Sequence, residues 1–489
     1  MREERGFSMS EKRMECEYLV VGSGPGGATT AALLAGGGRD VLMAEEGGNY
    51  RLDSAEAYSL LEMDQKYRNS GLTPSFGKTK VTYIEGRCVG GGSEINAALC
   101  HLPMECTIEE WRKDFKIEEF SYGALEPHFR EIDKDFTVSP IPYGLDAASR
   151  RIKEGAAALG WASDEVKRFW RYPENAGLEN TGIRQSITET MVPKALASGC
   201  RLEADLWIEK LIMSGNRAVS AVGIEKSGDG RREKVRIDFK NVVVCGGPSQ
   251  TPVLLQRSGI GGLVGKSFVL HPMVRMPARF NEEINECASY GVPVQQVVEF
   301  KPAMTLGCSV STLPHLAMWM GEDVEDRMGR LREWRTMTLF YVLVKGNARG
   351  SVKNVPGFNE AFVSYPLNEK DLKQLGEGLY LLGKLLFTVG ALEILSPVLG
   401  MRPFRKLEDL ELLRQGLPHA KMTVSTIHIF SSCPMGEDRS RCVVDSFGKL
   451  HGYQNIWLND ASILPDATGV NPQATVMAVA RRNALKMLG

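Results

Sequence analysis

The sequence lacks the features that mark several large classes of protein. Its ten cysteines include no CxxC pair and no zinc-ligand spacing, so we expect buried thiols rather than a metal site or a redox-active dithiol. No uncharged apolar run reaches the roughly 18 residues of a membrane-spanning helix. A formal net charge of −1 does not favour binding to nucleic acid or to an anionic membrane surface. The N-terminal stretch has no apolar signal-peptide core, which predicts a cytoplasmic protein.

The opening of the chain predicts a dinucleotide-binding site. Residues 18–21 form an apolar run typical of a buried strand, and Gly22, Gly24 and Gly27 follow with GxGxxG spacing before an apolar helix. Gly22 permits a tight turn, Gly24 lets the backbone approach a diphosphate, and Gly27 lets the helix pack close to the strand. A second strand ends at Glu45, whose carboxylate can accept hydrogen bonds from both ribose hydroxyls. The first fifteen residues are predicted to be a loose extension.

Later segments indicate how the chain is divided. Glycines at 90–92 suit close backbone approach to a ligand, although a flexible surface loop would have the same composition. Residues 201–224 alternate as in a β-hairpin, and residues 241–259 repeat the order of strand, glycines and helix. Residues 276–415 lose this rhythm, which predicts an inserted second domain. Within them, the apolar stretch 379–400 predicts a helix packed on the core, with peripheral membrane contact as the alternative.

The C-terminal segment concentrates residues suited to chemistry. His428, one of seven histidines, lies beside a turn of small residues, and an imidazole with a pKa of about 6.5 can exchange protons near neutral pH. The alternative for any single histidine is an ordinary surface or core position. Downstream, a helix is predicted to begin near Pro472, with Asn471 at the N-cap.

Six segments resemble the glucose–methanol–choline (GMC) oxidoreductases in order and spacing. They are GSGPGGA at 22–28, GRCVGGGSEIN at 86–96, GGPSQTPVLLQRSGIG at 246–261, VGKSFVLHP at 264–272, HIFSSCPMG at 428–436 and NDASILPDATGVNPQATVMAVA at 459–480. The resemblance implies an α/β fold in which a Rossmann-like FAD-binding domain is assembled from discontinuous segments. An α+β substrate domain with an antiparallel sheet completes it. The implied division gives 1–110, 196–275 and 416–489 to the FAD-binding domain, and 111–195 and 276–415 to the cap and substrate domain.

The resemblance also implies which residues approach FAD. They lie in the opening motif, the glycine loop, the hairpin and the C-terminal segment: Gly22, Gly24, Pro25, Gly27, Glu45, Arg87, Gly91, Gly92, Ser93, Asn96, Ile208, Asp460, Ala461, Asn471, Pro472 and Thr475. Some relatives attach FAD covalently through a histidine just before the asparagine that Asn96 matches. Ile95 stands there in this chain and cannot form that bond, so the predicted FAD is noncovalent. No metal site is expected.

Matching positions imply the catalytic residues as well. His428 matches the position of the general base, and Asn471 matches the position of the hydrogen-bond partner of the substrate oxygen. The turn after the histidine departs from the family's GTCxMG, with Ser431 in place of glycine and Pro434 added. That departure puts the orientation of the histidine in question.

Other titratable residues stay open as candidates. His271 matches a position that is usually structural, and His101 is a candidate for lining the pocket. Some relatives place a glutamate base in the substrate domain, for which the sequence offers Glu299, Glu322 and Glu325 without distinguishing among them.

The predicted reaction is FAD-dependent oxidation of an alcohol to an aldehyde or ketone by hydride transfer to flavin N5. The GVNP tail is most similar to the long-chain alcohol and sterol oxidase branches, which favours a bulky or apolar primary or secondary alcohol. Oxygen, a quinone or a redox protein would reoxidise the flavin, and no nucleic acid takes part. Two alternatives remain: a light-driven fatty acid decarboxylase on the same scaffold, and a flavoprotein that has lost catalysis.

Overall fold

The computed structural model describes residues 11–71, 73–286, 290–320 and 327–489. In these residues the α-helices are α1 (Pro25–Gly36), α2 (Leu60–Lys66), α3 (Glu105–Asp114), α4 (Tyr122–Asp135), α5 (Ala147–Leu159), α6 (Met191–Ala197), α7 (Gly247–Arg257), α8 (Leu313–Trp319), α9 (Arg327–Arg332), α10 (Glu369–Thr388) and α11 (Gln473–Leu488). The strands are β1 (Glu11–Val21), β2 (Val41–Ala44), β3 (Thr73–Ser75), β4 (Lys80–Tyr83), β5 (Val138–Ser139), β6 (Ser163–Glu165), β7 (Arg168–Arg171), β8 (Ile183–Arg184), β9 (Arg201–Glu203), β10 (Leu206–Ser214), β11 (Arg217–Lys226), β12 (Arg232–Val244), β13 (Val269–Leu270), β14 (Met273–Arg279), β15 (Gln295–Val297), β16 (Met304–Cys308), β17 (Met337–Val344), β18 (Ser351–Lys353), β19 (Phe362–Ser364), β20 (Glu393–Ile394), β21 (Thr423–Thr426), β22 (Ile429–Phe430) and β23 (Ile456–Leu458).

The first large sheet has a parallel centre, β9-β2-β1-β12, and β23 also pairs with β12 in parallel. Strand β2 and the last residues of β1 and β12 are apolar and mostly buried, which is the usual pattern at the centre of a doubly wound sheet, whereas the first halves of β1 and β12 carry exposed charged residues. The predicted hairpin is confirmed as β10 and β11, and it adds antiparallel strands to the edge of β12. The predicted loose extension is partly wrong, because residues 11–15 continue β1 and pair with β12 from Lys234 to Asp238. Residues 1–10 lie outside the described residues.

The second large sheet has nine strands in the order β3-β4-β21-β14-β17-β16-β15-β6, with β20 paired to β14. All its pairs are antiparallel except β4 with β21. Helix α10 packs against one face with its leucines fully buried, among them Leu379, Leu382 and Leu386. The prediction of a core helix is therefore confirmed for residues 379–388, whereas residues 389–400 lie beyond the helix and include β20. Across the described residues, no helix has the length and apolarity that crossing a membrane requires.

The C-terminal helix begins one residue later than the sequence suggested. Helix α11 starts at Gln473, and Pro472 holds the N-cap position without a side-chain hydrogen bond. The prediction of Asn471 as the N-cap is therefore wrong by one residue, since proline fixes its own φ and can occupy the entry to the helix. Asn471 precedes the helix, and its side chain makes no hydrogen bond within the part of the chain that the structure describes. Helix α11 packs along α1 on the first sheet. The segment boundaries proposed above for the domains stay a prediction.

Candidate functional site

A long cavity runs between the two sheets at the carboxyl ends of the parallel strands. It holds about 1470 Å³ of empty space, solvent at its mouth included. Its lining includes Trp207 and Ile208 of the hairpin as well as His428 and Asn471. Ligands of open parallel sheets bind at this edge of the strands. The cavity therefore joins the two regions that the sequence assigned to the adenine and to catalysis.

Two glycine turns meet in the middle of the cavity and leave no room for side chains. A Cβ on Gly22 would lie 2.3 Å from the carbonyl oxygen of Cys245, and Gly22 has a φ of +102°. A Cβ on Gly91 would lie 2.9 Å from Cα of Gly24, and Gly91 has a φ of +54°. Both positions therefore require glycine. The backbones of the first motif and the later glycine loop touch, so the loop 90–92 is part of the site rather than a flexible surface loop.

Glu45 lies at the end of β2 and lines the cavity. Its Oε2 accepts hydrogen bonds from the backbone N–H of Ser23, at 3.0 Å, and from the hydroxyl of Ser23, at 2.8 Å. Its Oε1 accepts from the N–H of Gly47 at 2.9 Å. Burial raises the pKa of this carboxyl, while these hydrogen bonds oppose the rise. The carboxylate is held in place by the two turns and keeps acceptor capacity toward the cavity.

Asp460 closes the same region from the C-terminal segment. Its Oδ2 accepts from the N–H of Gly247, at 2.9 Å, and from the hydroxyl of Thr251, at 2.5 Å. Its Oδ1 accepts from the N–H of Ser462 at 2.6 Å. Burial raises the pKa of Asp460, and these donors oppose the rise. Asp460 therefore ties the first turn of α7 to the segment that leads to α11. Ala461, the next residue, also lines the cavity.

A buried arginine organises the wall near the ribose end. Arg68 pairs with Glu46 at 2.6 Å and lies 3.3 Å from Glu360 and 3.8 Å from Glu85. Burial raises the pKa of the Glu85 carboxyl, which also bonds the hydroxyl of Ser249. The Arg68 guanidinium lowers the pKa of Glu46 against the opposing effect of burial. Arg68 and its three glutamates were not predicted, because they stand outside the matched motifs.

At the catalytic end, two histidines are in direct contact. Nδ1 of His271 lies 3.1 Å from Nδ1 of His428, and Nε2 of His271 accepts from the N–H of Gly469 at 3.0 Å. Burial, together with the nearby His101 and Arg275, lowers the pKa of His428 to about 3. Burial also lowers the pKa of His271 well below its usual value. Both rings are therefore neutral at physiological pH.

The hydrogen bonds fix the tautomers of this histidine pair. Since Nε2 of His271 is an acceptor, its proton lies on Nδ1 and is donated to Nδ1 of His428. Neutral His428 then carries its proton on Nε2. That nitrogen has no hydrogen-bond partner among the described residues, and the ring lines the cavity. At rest, His428 therefore presents a donor to the cavity.

The turn that follows His428 accommodates the substitutions noted in the sequence. Ser431 has a φ of +64°, a conformation in which glycine would be unstrained. Its hydroxyl donates to the carbonyl of Pro465 at 2.7 Å, and its N–H donates to Ala461 at 3.2 Å. The turn is therefore fastened to the cofactor-side segment. Despite the departure from glycine, the ring of His428 reaches the cavity.

Asn96 and the start of α11 are tied to each other beside the cavity. Nδ2 of Asn96 donates to Oε1 of Gln473 at 2.6 Å, and Oδ1 accepts from Arg184 at 2.9 Å. Arg184 also donates to the carbonyl groups of Ser93 and Asn96. Asn471 and Pro472 line the cavity next to this link.

The predicted residues divide into those that line the cavity and those that support its walls. Lining residues are Gly22, Gly24, Pro25, Glu45, Gly91, Gly92, Asn96, Ile208, His428, Asp460, Ala461, Asn471 and Pro472. Four others lie behind or beside the walls: Gly27, Arg87, Ser93 and Thr475. Gly27 packs helix α1 on the turn, since a Cβ there would lie 2.0 Å from the carbonyl oxygen of Gly22. Arg87 is exposed, whereas Ser93 and Thr475 are buried.

The open candidates are also placed in part. His101 is buried and bonds Gln296 at 2.9 Å, and burial lowers its pKa to about 4. Glu299 is exposed and accepts from the N–H of Ala162 at 3.0 Å, so it does not serve as a buried base. Glu322 and Glu325 lie outside the described residues.

The second sheet contributes polar residues that sequence reasoning missed. Directly paired residues of neighbouring strands share a face, and Arg275, Tyr341, Gly307 and Gln296 form one such row. Gln296 donates to the hydroxyl of Tyr341 at 2.6 Å. The signal in the sequence was an arginine inside the apolar strand MVRMPAR, since arginine is rarely buried unless it has a partner.

The residues of the cavity fit FAD. The diphosphate needs backbone close enough to donate hydrogen bonds, and the Gly24–Gly91 contact provides a cradle that any Cβ would fill. Glu45 is placed for ribose hydroxyls and Ile208 for the adenine. The cavity is long enough to continue to His428.

Comparisons with known proteins agree with this geometry. Models of the GMC oxidoreductase family match residues 63–273 and 357–480. An uncharacterised GMC-type oxidoreductase of Sinorhizobium fredii is 35% identical over 98% of this chain and 96% of its own length. A long-chain-alcohol oxidase of Arabidopsis thaliana is 25% identical over 96% of this chain and 67% of its own length. Among solved structures, pyridoxine 4-oxidase from Mesorbium loti superposes with a TM-score of 0.76 at 17% identity, covering 96% of this chain and 99% of that one.

Proposed function

Because the chain belongs to the GMC oxidoreductase family, we propose that it oxidises an alcohol to an aldehyde or ketone with FAD as its cofactor. The observation that carries the proposal is His428, which lines the same continuous cavity as the dinucleotide cradle. The similarity to long-chain-alcohol oxidases supports a bulky or apolar primary or secondary alcohol. A peripheral membrane contact during uptake of such a substrate belongs to the proposal, as do a cytoplasmic location and the five domain segments named above.

The cavity residues would hold the cofactor without a covalent bond. The Gly22–Gly24 turn and Gly91 would receive the diphosphate, and Glu45 the ribose. Ile95 offers no nucleophilic or aromatic nitrogen for attachment at the position that some relatives use. Bound FAD supplies the two-electron acceptor that takes the carbon-bound hydrogen of the alcohol as hydride. Oxygen, a quinone or a redox protein would then accept the electrons.

His428 is assigned to the proton of the substrate hydroxyl. At rest its Nε2–H donates to the substrate oxygen and orients it. To act as the base at Nε2, the ring needs the other tautomer: the shared proton moves to Nδ1 of His428, its Nε2 proton leaves to solvent, and Nε2 of His271 takes a proton from solvent and no longer accepts from Gly469. Losing one buried hydrogen bond costs about 1–3 kcal/mol. That cost leaves the base form accessible, since 1.4 kcal/mol is a factor of about ten in population.

Asn471 is assigned to the substrate oxygen. Its side chain makes no hydrogen bond to the described residues and lines the cavity together with His428. An amide N–H aimed at an oxygen that gains negative charge stabilises the transition state more than the ground state. Asn471 and His428 would thus contact one oxygen from two sides.

Anaerobic flavin reduction tests this function. Mixing the holoenzyme with a panel of primary and secondary alcohols should bleach the oxidised flavin, and His428→Ala should slow the bleaching by about 10²–10⁴-fold. His128→Ala, on the outer helix α4, is the control and should reduce at the wild-type rate. Unimpaired reduction in His428→Ala would overturn the assigned mechanism, and no reduction by any alcohol would favour a flavoprotein without this catalysis.

One observation keeps the fatty acid decarboxylase as a second candidate. Arg275 is a cation without a described carboxylate partner near His428, and a fatty acid would bring a carboxylate. This reaction requires light and no base. Carbon dioxide release from a fatty acid only under illumination, unchanged in His428→Ala, would replace alcohol oxidation with it.

A further inference from the structure

Arg275 lies on the face of the second sheet that is nearest the catalytic histidines. On β14, alternate residues share a face, so Met273 and Arg275 lie on the same side, and His271 lies two residues before the strand begins. Met273 pairs with Ser425, three residues before His428. The guanidinium of Arg275 reaches back to this pair, since Nη1 donates to the hydroxyl of Ser425 at 2.6 Å. The cation is near enough to His428 to lower the pKa of that histidine.

The groups that hold Arg275 are all neutral. Nε donates to the hydroxyl of Ser309 at 2.9 Å, and the guanidinium stands 5.0 Å from the ring centroid of Trp319. The nearby His315 is neutral because burial lowers its pKa to about 4. Burial also lowers the pKa of Arg275 itself to about 10. Two of its five N–H groups have partners, and no carboxylate pairs with it among the residues that the structure describes.

A cation in such surroundings is costly unless an anion joins it. Removing a charge from water costs several kcal/mol, and hydroxyl groups and an aromatic face return only part of that. Arg68, which also lies beside the cavity, has such a partner in Glu46. Arg275 keeps part of its surface accessible and has N–H groups to spare. These features are those of a cationic side chain that is available to bind an anionic ligand.

We propose that Arg275 binds a carboxylate of the substrate, so that the alcohol oxidised at His428 is a hydroxy acid. This inference rests on the proposed function. A guanidinium fork matches the two oxygens of a carboxylate, and one cation matches one negative charge. Ser309 and Ser425 hold the fork in orientation before the ligand arrives. A phosphate carries more charge and more oxygens than a single guanidinium matches, so a carboxylate is the better fit.

The residues between the histidines and Arg275 indicate the chemical character of the middle of the substrate. Met273 pairs with Leu343 in the row on the histidine side of Arg275, Tyr341 pairs with Arg275 itself, and Met273, Tyr341 and Leu343 form a small apolar cluster. Aliphatic carbons would lie against it. The predicted substrate therefore has a hydroxyl group, several methylene groups and a terminal carboxylate. Only the methylene groups have the apolar character that the relatives suggest.

The experiment compares acids with their methyl esters in the dark. ω-Hydroxy acids of four to sixteen carbons and their methyl esters are mixed anaerobically with the holoenzyme, and the rate of flavin reduction is followed at several concentrations. Wild type should use the best acid at least about 10-fold more efficiently than its ester. In Arg275→Met the acid should lose about 10- to 100-fold, as expected for a charge-assisted pair, while the ester changes by less than about 3-fold. Arg279→Met is the matched control on the same strand, where the arginine pairs with Glu333 and Glu393, and it should keep the wild-type preference.

Binding of an unreactive acid separates this inference from the proposed function. Hexanoate has no hydroxyl group, and its dissociation constant is read from the perturbed flavin spectrum. Hexanoate binding that weakens about 10-fold or more in Arg275→Met supports the carboxylate site even if no alcohol reduces the flavin. Arg275→Gln repeats the measurement in case the methionine variant does not fold.

Three results would overturn the inference. One is equal loss for acid and ester, which would make Arg275 structural. Another is a wild-type preference for the ester. The third is an effect confined to reoxidation by oxygen, with anaerobic reduction unchanged, which would assign the cation to oxygen chemistry.

Discussion

Replacing Gly91 by alanine should destabilise the apoprotein, whereas the same change at the neighbouring Gly92 should weaken only FAD binding. A side chain on Gly91 meets two costs. Its φ of +54° costs an ordinary residue about 1–2 kcal/mol, and its Cβ would lie 2.9 Å from Cα of Gly24. The backbone of Gly24 cannot move aside as the end of a side chain can, so overpacking adds about 1–2 kcal/mol to the destabilisation.

Gly92 differs from Gly91 in both respects. Its φ lies outside the left-handed region, and a Cβ on it meets nothing within 4 Å of protein. The free space beside it is the cavity that it lines. A methyl group there should leave the apoprotein unchanged and occupy volume that the cofactor needs. We expect FAD affinity to fall about 10-fold or more, which corresponds to about 1.4 kcal/mol.

The assay is thermal unfolding of flavin-free protein, followed by FAD titration of both variants. A chain of this length gains roughly 1 kcal/mol per kelvin in unfolding entropy, so 2–4 kcal/mol lowers the midpoint of Gly91→Ala by about 2–4 °C. Gly92→Ala should melt within about 1 °C of wild type. Wild-type FAD affinity in Gly92→Ala, or an unchanged midpoint in Gly91→Ala, would show that the cradle is not where the two turns meet.

Three further predictions follow from the site and its surroundings. His315 should make the free energy of unfolding fall with acid between about pH 6.5, where the unfolded residue gains a proton, and about pH 4, its pKa in the fold. In His315→Asn the free energy of unfolding in urea should therefore depend less steeply on pH, with a slope smaller by about one proton. An unchanged slope would contradict the burial effect. ¹⁵N spectra of the resting protein should place the proton of His428 on Nε2, and His271→Ala should remove this preference; a proton on Nδ1 in wild type would refute the assigned hydrogen bonds. Unfolding in denaturant should release all the flavin into a filtrate, because Ile95 cannot hold it; flavin that stays with the chain would contradict noncovalent binding.

Much of this architecture could be predicted from the sequence, for local reasons. The GxGxxG turn, the hairpin and the core helix depend on residues close together in the chain, and glycine positions report backbone geometry directly. The opening strand–turn–helix pattern assigned Glu45 to the cofactor site, and matching motifs assigned Asp460 and His428, although hundreds of positions separate them from Glu45. The N-cap was misplaced by one residue, because proline and asparagine both suit a helix entry and sequence alone does not rank them.

The unpredicted residues depend on pairing between strands that are distant in sequence. Arg275 could be recognised as unusual in an apolar strand, but its relation to Ser425 and the histidines required the register of β14 with β21. The tautomer of His428 depends on Gly469, a backbone group in another segment. The cluster of Arg68 with its glutamates likewise joins residues up to 292 positions apart. Such contacts leave no periodic signal in the sequence.

The most direct test of the account is anaerobic flavin reduction by an alcohol in wild type and in His428→Ala. The account predicts that an alcohol bleaches the flavin of the wild-type holoenzyme without oxygen, and that the His428→Ala holoenzyme, with FAD bound, is slower by at least about 10²-fold. A wild-type flavin that no alcohol reduces, or a His428→Ala variant that is reduced as fast as wild type, would contradict it.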